Sequence, residues 1–498
     1  MDYKGDTQLE SGGEKASTIA AAAEHSLSAE HAEYLLQRHG TLDLKPIPSA
    51  HHEDPYNWPA WKKNVNLVIV SFHAFMTTFG AASIIPAFGL LAEYFGKSVQ
   101  EASYLVSFQI LMLGIGPLVW NPLSNRYGRR ICWLLSTSLS LVCNIGCAES
   151  KSYGAMMICR ILVGFFISPG GALGSGVVNE CFFAHERGQK MGIWVLLISI
   201  GPATGPLAMG FVTQHLGWKW IYWILAILNG VQFLAYFFFS PETIWNPPGE
   251  QAPRASTSFK DNYLRFGRLN SAPLRLREFC HPIFRLKHAS IALPAWCYAN
   301  VFAFASIMMT VEIPQTFGAK FGFNAQQLGL QFIAIIVGSI PGELIGGVIS
   351  DKLQSRKRKQ LKRDPPAEHR LWGSYFGFAM VVIGLLVFTI QLEHAKDGHW
   401  NVTPLVGIVF AGLGNQIITT ILVTYAVDSC PSEADDIGVL VNFVRYGWGF
   451  IGPFWFPNMF ESLGLIASGG LMTGIVVVFS VCPVIWLQMR TKPSKAVA

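Results

Sequence analysis

Long apolar segments recur along most of this chain, and they restrict its fold more than any other feature. A helix needs about 20 mainly apolar residues to cross the hydrocarbon core of a bilayer. Charged residues make up 14% of the chain, whereas soluble domains carry about a quarter. We therefore expect an all-α membrane protein in which twelve helices span the lipid bilayer. The predicted spans cover approximately residues 64–86, 102–122, 131–149, 155–178, 191–212, 219–240, 290–312, 326–348, 372–392, 402–424, 436–459 and 466–488.

The fifth of these segments is apolar and yet rich in residues that break helices. In a soluble helix each glycine would cost about 1 kcal/mol and each proline about 3 kcal/mol. In a bilayer the backbone has no water to bond to, so the helix persists and its neighbours accommodate the kinks. Glycines also let a second helix approach closely. The segment predicts a kinked helix packed tightly on a partner, although general small-residue packing would use the same residues. They are Gly192, Gly201, Pro202, Gly205, Pro206 and Gly210.

Basic residues are concentrated in alternate loops, at 123–130, 241–289 and 350–371. Because basic loops stay on the cytosolic side, both termini are predicted to be cytosolic. The plasma membrane is the expected location, and the vacuolar membrane is the alternative. Asn401 begins the glycosylation sequon Asn401-Val-Thr403 on a predicted outside loop. That loop is so close to the membrane that the glycosylation of Asn401 stays open.

The basic segment 241–289 divides the predicted spans six and six. We expect a disordered cytosolic tail at 1–63, an N-terminal bundle at 64–240 and a C-terminal bundle at 290–490. Between the bundles we expect a solvated basic linker, and residues 491–498 form a second cytosolic tail. A short amphipathic helix around 29–38 is an alternative for part of the first tail.

The glycine spacing of the fifth segment resembles the antiporter motif of helix five in the major facilitator superfamily. The match covers Gly192, Gly201, Gly205 with Pro206, and Gly210, and it departs at Met209, where the family usually has glycine. The resemblance implies two pseudo-symmetric six-helix bundles and a carrier that exchanges one solute for another.

Two loops form an internal repeat and resemble the superfamily's Gly-x-x-x-Asp-Arg-x-Gly-Arg-Arg loop. The first copy carries Asn125 in place of the acid, whereas the second keeps Gly347 and Asp351. Such loops pin helix ends by charge-assisted hydrogen bonds, so we expect a cytosolic gate that is weaker in the first half. Simple positive-inside anchoring is the alternative. The predicted gate residues are Arg126, Gly128, Arg129, Arg130, Glu180, Asp351 and Lys352, with Asp428, Glu433, Asp435 and Asp436 as further acidic partners.

Further segments resemble fungal twelve-span carriers of the drug:proton antiporter type. They include residues 54–63 before the first span, Gly217-Trp-Lys-Trp220, Thr424-Tyr-Ala-Val-Asp428 and Asn442-Phe-Val-Arg445. Arg160-Ile-Leu-Val-Gly164 matches the superfamily's Arg-x-x-x-Gly element, whose arginine influences proton coupling in the family. The resemblance implies a small organic substrate, no cofactor, and a proton gradient as the energy source.

Ionisable residues at membrane depth are costly and usually face a cavity. Arg445 has Asn442 three residues before it on the same helical face, and this pair is the strongest candidate for a substrate or proton pathway. Arg160, Glu343 and His73 are further candidates. A bond to a neighbouring helix is the alternative for Arg160, Arg445 and His73, and a place in the cytosolic gate is the alternative for Glu343.

Neutral polar residues at similar depth are Asn300, Asn415 and Gln416. A mainly apolar wall with a few hydrogen-bonding groups suits amphipathic or aromatic organic molecules. The sequence has no phosphate-binding Walker loop, no complete nucleophile motif and no metal-spaced cluster. We therefore expect a monomeric carrier that is not an enzyme, holds no metal and binds no nucleic acid.

Three functions stay open. The first is a proton-coupled exporter of a drug or a fungal secondary metabolite, which the helix-five motif favours. The second is an importer of polyamines or of another organic cation or nutrient. The third is a transport-inactive receptor, which would be expected to have a long folded cytosolic domain.

Overall fold

Capping residues set the ends of the long helices. The computed structural model describes residues 27–245, 275–362, 365–430 and 433–490. Ser98 and Glu101 form a capping box at the start of one long helix, and Gly128 ends it with φ 100°. Gly217 ends another with φ 87°. A residue without Cβ takes such positive φ angles at no steric cost, so these glycines turn the chain sharply at the membrane surface.

The described residues form twenty-one α-helices, joined by short 3₁₀ and π-helical turns. They are α1 (Ala29–His39), α2 (Ala60–Ala82), α3 (Phe88–Phe95), α4 (Val99–Tyr127), α5 (Arg129–Ala148), α6 (Tyr153–Ile167), α7 (Gly174–Cys181), α8 (Ala184–Leu216), α9 (Lys219–Phe239), α10 (Leu276–Phe284), α11 (Ala289–Phe302), α12 (Met309–Val311), α13 (Ile313–Phe321), α14 (Ala325–Gln331), α15 (Ile333–Leu361), α16 (Ser374–His394), α17 (Thr403–Ser429), α18 (Ala434–Ile451), α19 (Phe456–Leu463), α20 (Leu465–Val476) and α21 (Cys482–Arg490).

Eleven helical segments of the described region are long and apolar enough to cross a membrane. The predicted span at 436–459 is not among them, although α18 and α19 occupy its place. Its apolar run is shortened because α18 carries Asp435, Asp436 and Arg445. The all-α membrane fold is confirmed, and among the described residues eleven of the twelve predicted spans coincide with helices that are long and apolar enough to cross a membrane.

Glycines allow the closest contacts between helices within each half of the chain. A Cβ built on Gly205 of α8 would lie 2.6 Å from the carbonyl oxygen of Phe79 on α2. In the second half, a Cβ on Gly407 of α17 would lie 2.7 Å from the carbonyl oxygen of Gly384 on α16. Small residues at helix crossings give the packing that lipid-embedded helices rely on for association.

The predicted disorder of the N-terminal tail is wrong for residues 27–59. α1 begins after Ser28, whose side chain accepts a hydrogen bond from the His31 N–H. Its apolar face is buried against the residues before α8, and the Ala184 N–H donates to the Lys45 carbonyl over 2.8 Å. The segment has enough apolar side chains to fold once this surface is present. The buried cluster comprises Ala32, Leu35, Leu42, Leu44 and Phe183, and residues 1–26 lie outside the described residues.

The predicted solvated linker is likewise wrong at both of its ends. Glu242 is held by backbone N–H groups of the first half, and residues 276–284 form α10. Both ends are ordered because their charged side chains have partners on the bundles. Residues 246–274, and the predicted C-terminal tail at 491–498, lie outside the described residues.

Candidate functional site

The two halves of the chain meet along a seam formed by two pairs of helices. In the first pair, Tyr104 of α4 stacks on Phe454, just beyond α18, with ring centroids 4.4 Å apart. Phe108 and Phe450 lie 5.1 Å apart on the same two elements. Further along α4, a Cβ on Gly114 would lie 3.0 Å from Tyr446 Cβ.

The second pair joins α8 to α14 through glycines. A Cβ on Gly210 would lie 2.7 Å from the Ala325 carbonyl oxygen, and a Cβ on Gly329 would lie 2.6 Å from the Pro206 carbonyl oxygen. Both helix pairs meet at their ends away from the basic loops. We call this region, defined by Tyr104, Phe454, Gly210 and Gly329, the closed end of the seam.

The structure assigns the glycines of the helix-five motif to different neighbours. Gly201 and Gly205 face α2, where Cβ atoms would lie 2.9 Å from the Phe79 nitrogen and 2.6 Å from its carbonyl oxygen. Gly210 faces the other half of the chain, whereas Gly192 has nothing within 4 Å of a built Cβ. Pro202 and Pro206 lie inside α8. The motif therefore serves packing within one half and contact between the halves.

Arg445 lies in an aromatic cage between α18 and α11. Its Nη1 and Nη2 donate to the hydroxyls of Tyr298 and Tyr446, each over 2.7 Å. The guanidinium carbon lies 4.3 Å from the Tyr446 ring centroid and 5.1 Å from that of Phe302. No carboxylate of the described residues pairs with it, and Nε has no hydrogen-bond partner. Since a guanidinium has five N–H donors, the group retains donors for a ligand.

The neutral polar candidates lie on several helices. Asn442 is half-buried on the same helix as Arg445. Asn300 is 1% exposed, and its amide lies 3.5 Å from the Phe479 carbonyl oxygen. On α17 the Asn415 amide donates to Gln416 Oε1 over 3.1 Å, and the Gln416 amide donates to Glu343 over 3.3 Å. Glu343 is thus joined to a polar chain rather than to Asp351 of the predicted gate.

Arg160 has a different environment from Arg445. It is 0% exposed, and it donates to the carbonyl oxygens of Leu105, Gly80 and Ala81 over 3.3, 3.2 and 2.9 Å. Gly80 and Ala81 lie in the last turn of α2, whose final carbonyls have no partner within the helix. Arg160 therefore caps α2, and no carboxylate of the described residues pairs with it.

His73 is enclosed between three helices of the first half. It is 0% exposed; Nδ1 hydrogen-bonds to the Tyr236 hydroxyl over 3.1 Å and Nε2 to the Ser136 hydroxyl over 3.2 Å. Both ring nitrogens are satisfied by neutral groups. This arrangement matches the alternative interpretation of His73 as a hydrogen bond between helices.

The first basic loop is held by two acidic residues. Arg129 donates to Glu180 through Nε and Nη2, over 3.1 and 3.0 Å. The backbone N–H groups of Arg129 and Arg130, just after Gly128, donate to Glu242 over 2.9 and 3.0 Å. Burial raises the pKa of Glu242, and the backbone N–H groups that it binds act in the opposite direction. Glu242 was not among the predicted gate residues.

The acidic residues near α18 mostly bind groups other than the predicted arginines. Arg126 Nη2 lies 3.4 Å from Glu278 of α10. One turn further along α10, His281 hydrogen-bonds to Asp436 over 2.6 Å, and just beyond the helix Arg285 lies 2.8 Å from Glu433. A cavity of about 440 Å³ lies between α4, α10 and α18. α10 therefore bridges the two halves at the end with the basic loops.

The second basic loop has its own acidic cluster. Arg370 donates to Asp428 over 2.6 Å, and its Nη1 lies 3.3 Å from Asp351. Arg370 was not among the predicted gate residues, and Lys352 is exposed.

On a different loop, the Asn401 side chain accepts a hydrogen bond from the Thr403 N–H over 3.0 Å.

Sequence reasoning also missed Glu312, which follows α12. This residue is 1% exposed, and neither carboxyl oxygen has a hydrogen-bond partner among the described residues. The only signal in the sequence was an acid two residues before Pro314, at the border of a predicted span, and the span boundary was too uncertain to place it at membrane depth.

Comparison with known proteins identifies relatives over most of the chain. The sequence model of the Major Facilitator Superfamily matches residues 70–453. The efflux pump radE of Floropilus chiversii is 28% identical over 454 residues, covering 88% of this chain and 83% of that one. The MFS-type transporter atr4 of Stereocaulon alpinum is 28% identical over 442 residues, covering 87% and 78%. The solved structure of a bacterial homolog of the human lysosomal transporter Spinster has a TM-score of 0.58 at 13% identity, covering 87% of this chain and 97% of that one.

Proposed function

Because the chain belongs to the major facilitator superfamily, we propose that it is a proton-coupled exporter of a small organic compound. The protein is a multi-pass membrane transporter of that superfamily and not an enzyme. The proposed cargo is a drug or a fungal secondary metabolite, and relatives that cover most of the chain include a fungal efflux pump.

The setting of Arg445 is the observation that carries this proposal. A guanidinium with unused donors, surrounded by aromatic rings, offers hydrogen bonds and flat apolar surface to one ligand. Such a site suits an aromatic compound with a carbonyl, phenolate or carboxylate group. Asn442 lies one turn away on the same helix and would supply a further hydrogen bond.

The proposed mechanism is a rocking motion of the two halves about the seam. Contacts at the closed end shut one side of the carrier. The ion pairs around α10 would favour the closed state of the other side. In the proposed orientation the basic loops and both termini are cytosolic, so the closed end faces the outside. Each half would contribute six membrane-crossing helices, with the segment from 434 to 463 as the eleventh, and a monomer in the plasma membrane would suffice.

Import of polyamines or of another organic cation is the alternative. A cation site needs acidic groups, because a buried charge must be compensated. Arg445 and Arg160 have no carboxylate partner among the described residues, and positive charges of this kind repel a polyamine. Their setting favours export of a neutral or anionic compound over this alternative.

The experiment is an efflux assay in cells that express the full chain. Cells are loaded with a panel of fluorescent aromatic compounds, and efflux is followed with and without a protonophore. We expect efflux that exceeds that of untransfected cells and falls when the gradient is collapsed. Efflux that is insensitive to the protonophore would contradict proton coupling, and protein-dependent uptake of labelled spermidine would favour the importer.

A further inference from the structure

Glu312 is a buried carboxyl group without a partner. It is 1% exposed, and both of its oxygens lack hydrogen-bond partners among the described residues. An isolated carboxylate in an apolar environment is so costly that the group takes up a proton instead. In this conformation the Glu312 side chain is therefore neutral, with a proton on one carboxyl oxygen.

No cation near Glu312 provides another way to compensate a negative charge. Among the adjoining elements, residues 303–311 and α14 contain no titratable side chain. α13 carries Lys320, which lies two turns further on and donates to the Glu393 carbonyl oxygen over 3.0 Å. On α16, which packs against residues 303–308, the titratable residues are Tyr375, Glu393 and His394, and His394 hydrogen-bonds to the Ile390 carbonyl. α17 and α18 pack against the same turn; their titratable residues are Tyr425 and Asp428 on α17, and Asp435, Asp436, Arg445 and Tyr446 on α18. Arg445 is the cation of these two helices, and it donates to the hydroxyls of Tyr298 and Tyr446 rather than to Glu312.

The segment that carries Glu312 packs against the closed end of the seam. It follows the π-helical turn Ala303–Met308, a type of turn that is frequent at functional sites. Within this turn, the Phe304 ring lies 6.0 Å from that of Trp455, the residue after Phe454. A Cβ on Gly449 would lie 3.1 Å from Ile307 Cγ1. Opening the closed end moves Phe454 and its neighbours, and it therefore disturbs the packing of the π-helical turn, whose last residue, Met308, accepts a hydrogen bond from the Glu312 N–H over 3.1 Å.

We propose that Glu312 binds the proton that the carrier exchanges for its substrate, which is an inference that rests on the proposed function. When the closed end opens, water reaches the carboxylate, and a proton from the outside solution binds to one of its oxygens. The neutral form can then be buried, so proton binding permits the closed end to shut. After the halves have moved, the proton leaves to water that enters the seam from the other side.

The test measures the conformation and requires no substrate. The full chain, with exposed Cys280 and Cys482 replaced by serine, receives Lys151→Cys and His399→Cys for spin labels. These two exposed positions lie on loops of different halves at the closed end. Label-to-label distances are then recorded between pH 5 and pH 9 in lipid nanodiscs.

We expect the wild-type ratio of open to closed molecules to rise with pH, by up to about tenfold per pH unit for one titrating group. Glu312→Gln should remain closed with less than about a twofold change across the range, and Glu312→Asp should restore the dependence. Glu461→Gln, at an exposed acid of the same end, should behave as wild type. An unchanged pH dependence in Glu312→Gln, or none in the wild type, would overturn the assignment.

The two proposals fail separately. Efflux that ignores the protonophore would remove the exporter mechanism and leave the pH-dependent conformations of the chain standing. Proton-driven efflux that Glu312→Gln does not reduce would leave the exporter and remove Glu312 as its proton-binding group.

Discussion

Replacing Gly210 by alanine is expected to open the closed end of the seam. The added Cβ would lie 2.7 Å from the Ala325 carbonyl oxygen and 3.1 Å from Gly329 Cα. Both atoms belong to the backbone, so no flexible side chain can move aside. Overpacking of this kind costs about 1–3 kcal/mol. Because about 1.4 kcal/mol is a factor of ten in an equilibrium, the open-to-closed ratio should rise by roughly 5- to 150-fold.

Two other glycines of the same helix supply matched controls. At Gly205 the new Cβ would lie 2.6 Å from the Phe79 carbonyl oxygen, within one half of the chain. Gly205→Ala should therefore lower the melting temperature without a comparable shift in the open-to-closed ratio. At Gly192 nothing lies within 4 Å of the Cβ, so Gly192→Ala should leave both quantities unchanged.

The assay is the spin-label distance between residues 151 and 399, combined with thermal unfolding in detergent. Gly210→Ala should shift the population to longer distances and leave the melting temperature nearly unchanged. If Gly192→Ala opened the seam as much as Gly210→Ala, the assignment of these glycines to different neighbours would be refuted.

Three further variants test the placement of charged and polar groups. Arg160→Met should destabilise the protein by about 1–3 kcal/mol for each carbonyl left without a donor, measured by thermal unfolding, and a variant as stable as wild type would contradict the capping role. His73→Gln should lower stability but leave efflux sensitive to the protonophore, because the ring contacts neutral hydroxyls; loss of coupling alone would contradict this. Glu180→Gln should weaken the first gate, since it reduces a charge-assisted bond to Arg129 that is worth about 1.5–3 kcal/mol, and spin labels at the basic loops should report wider separation; Glu186→Gln, at a half-buried acid nearby that does not contact Arg129, is its control.

The sequence predicted the membrane helices because their signal is local. Apolar length and loop charge are read within a window of about 20 residues. The glycine motif of helix five is likewise recognised from its own spacing, without information on the helices that contact it. The exception was 436–459, where Asp435, Asp436 and Arg445 interrupt the apolar run. Two of these charges have partners far away in the sequence: Asp436 pairs with His281, and Arg445 donates to the Tyr298 hydroxyl.

The gate partners could not be predicted because they depend on contacts between distant segments. Glu242 binds a backbone group 113 residues earlier, and Glu278 pairs with Arg126 across 152 residues. Both acids lie in a segment with the composition of a solvated linker. For the same reason the N-terminal tail was expected to be disordered, with a helix around 29–38 only as the alternative, because the apolar face of α1 is buried against the distant Phe183.

The two arginines at membrane depth show why charge alone does not identify a transport site. Arg160 uses three donors on carbonyl oxygens and is sealed from solvent, so it has little left to offer a ligand. Arg445 makes two bonds to hydroxyls and keeps Nε unbonded. Neither has a carboxylate partner among the described residues, and both rank equally by residue type and depth. The number of donors that remain after internal hydrogen bonds are counted separates them: it favours Arg445 as the proposed substrate-binding residue, whereas Arg160 caps α2.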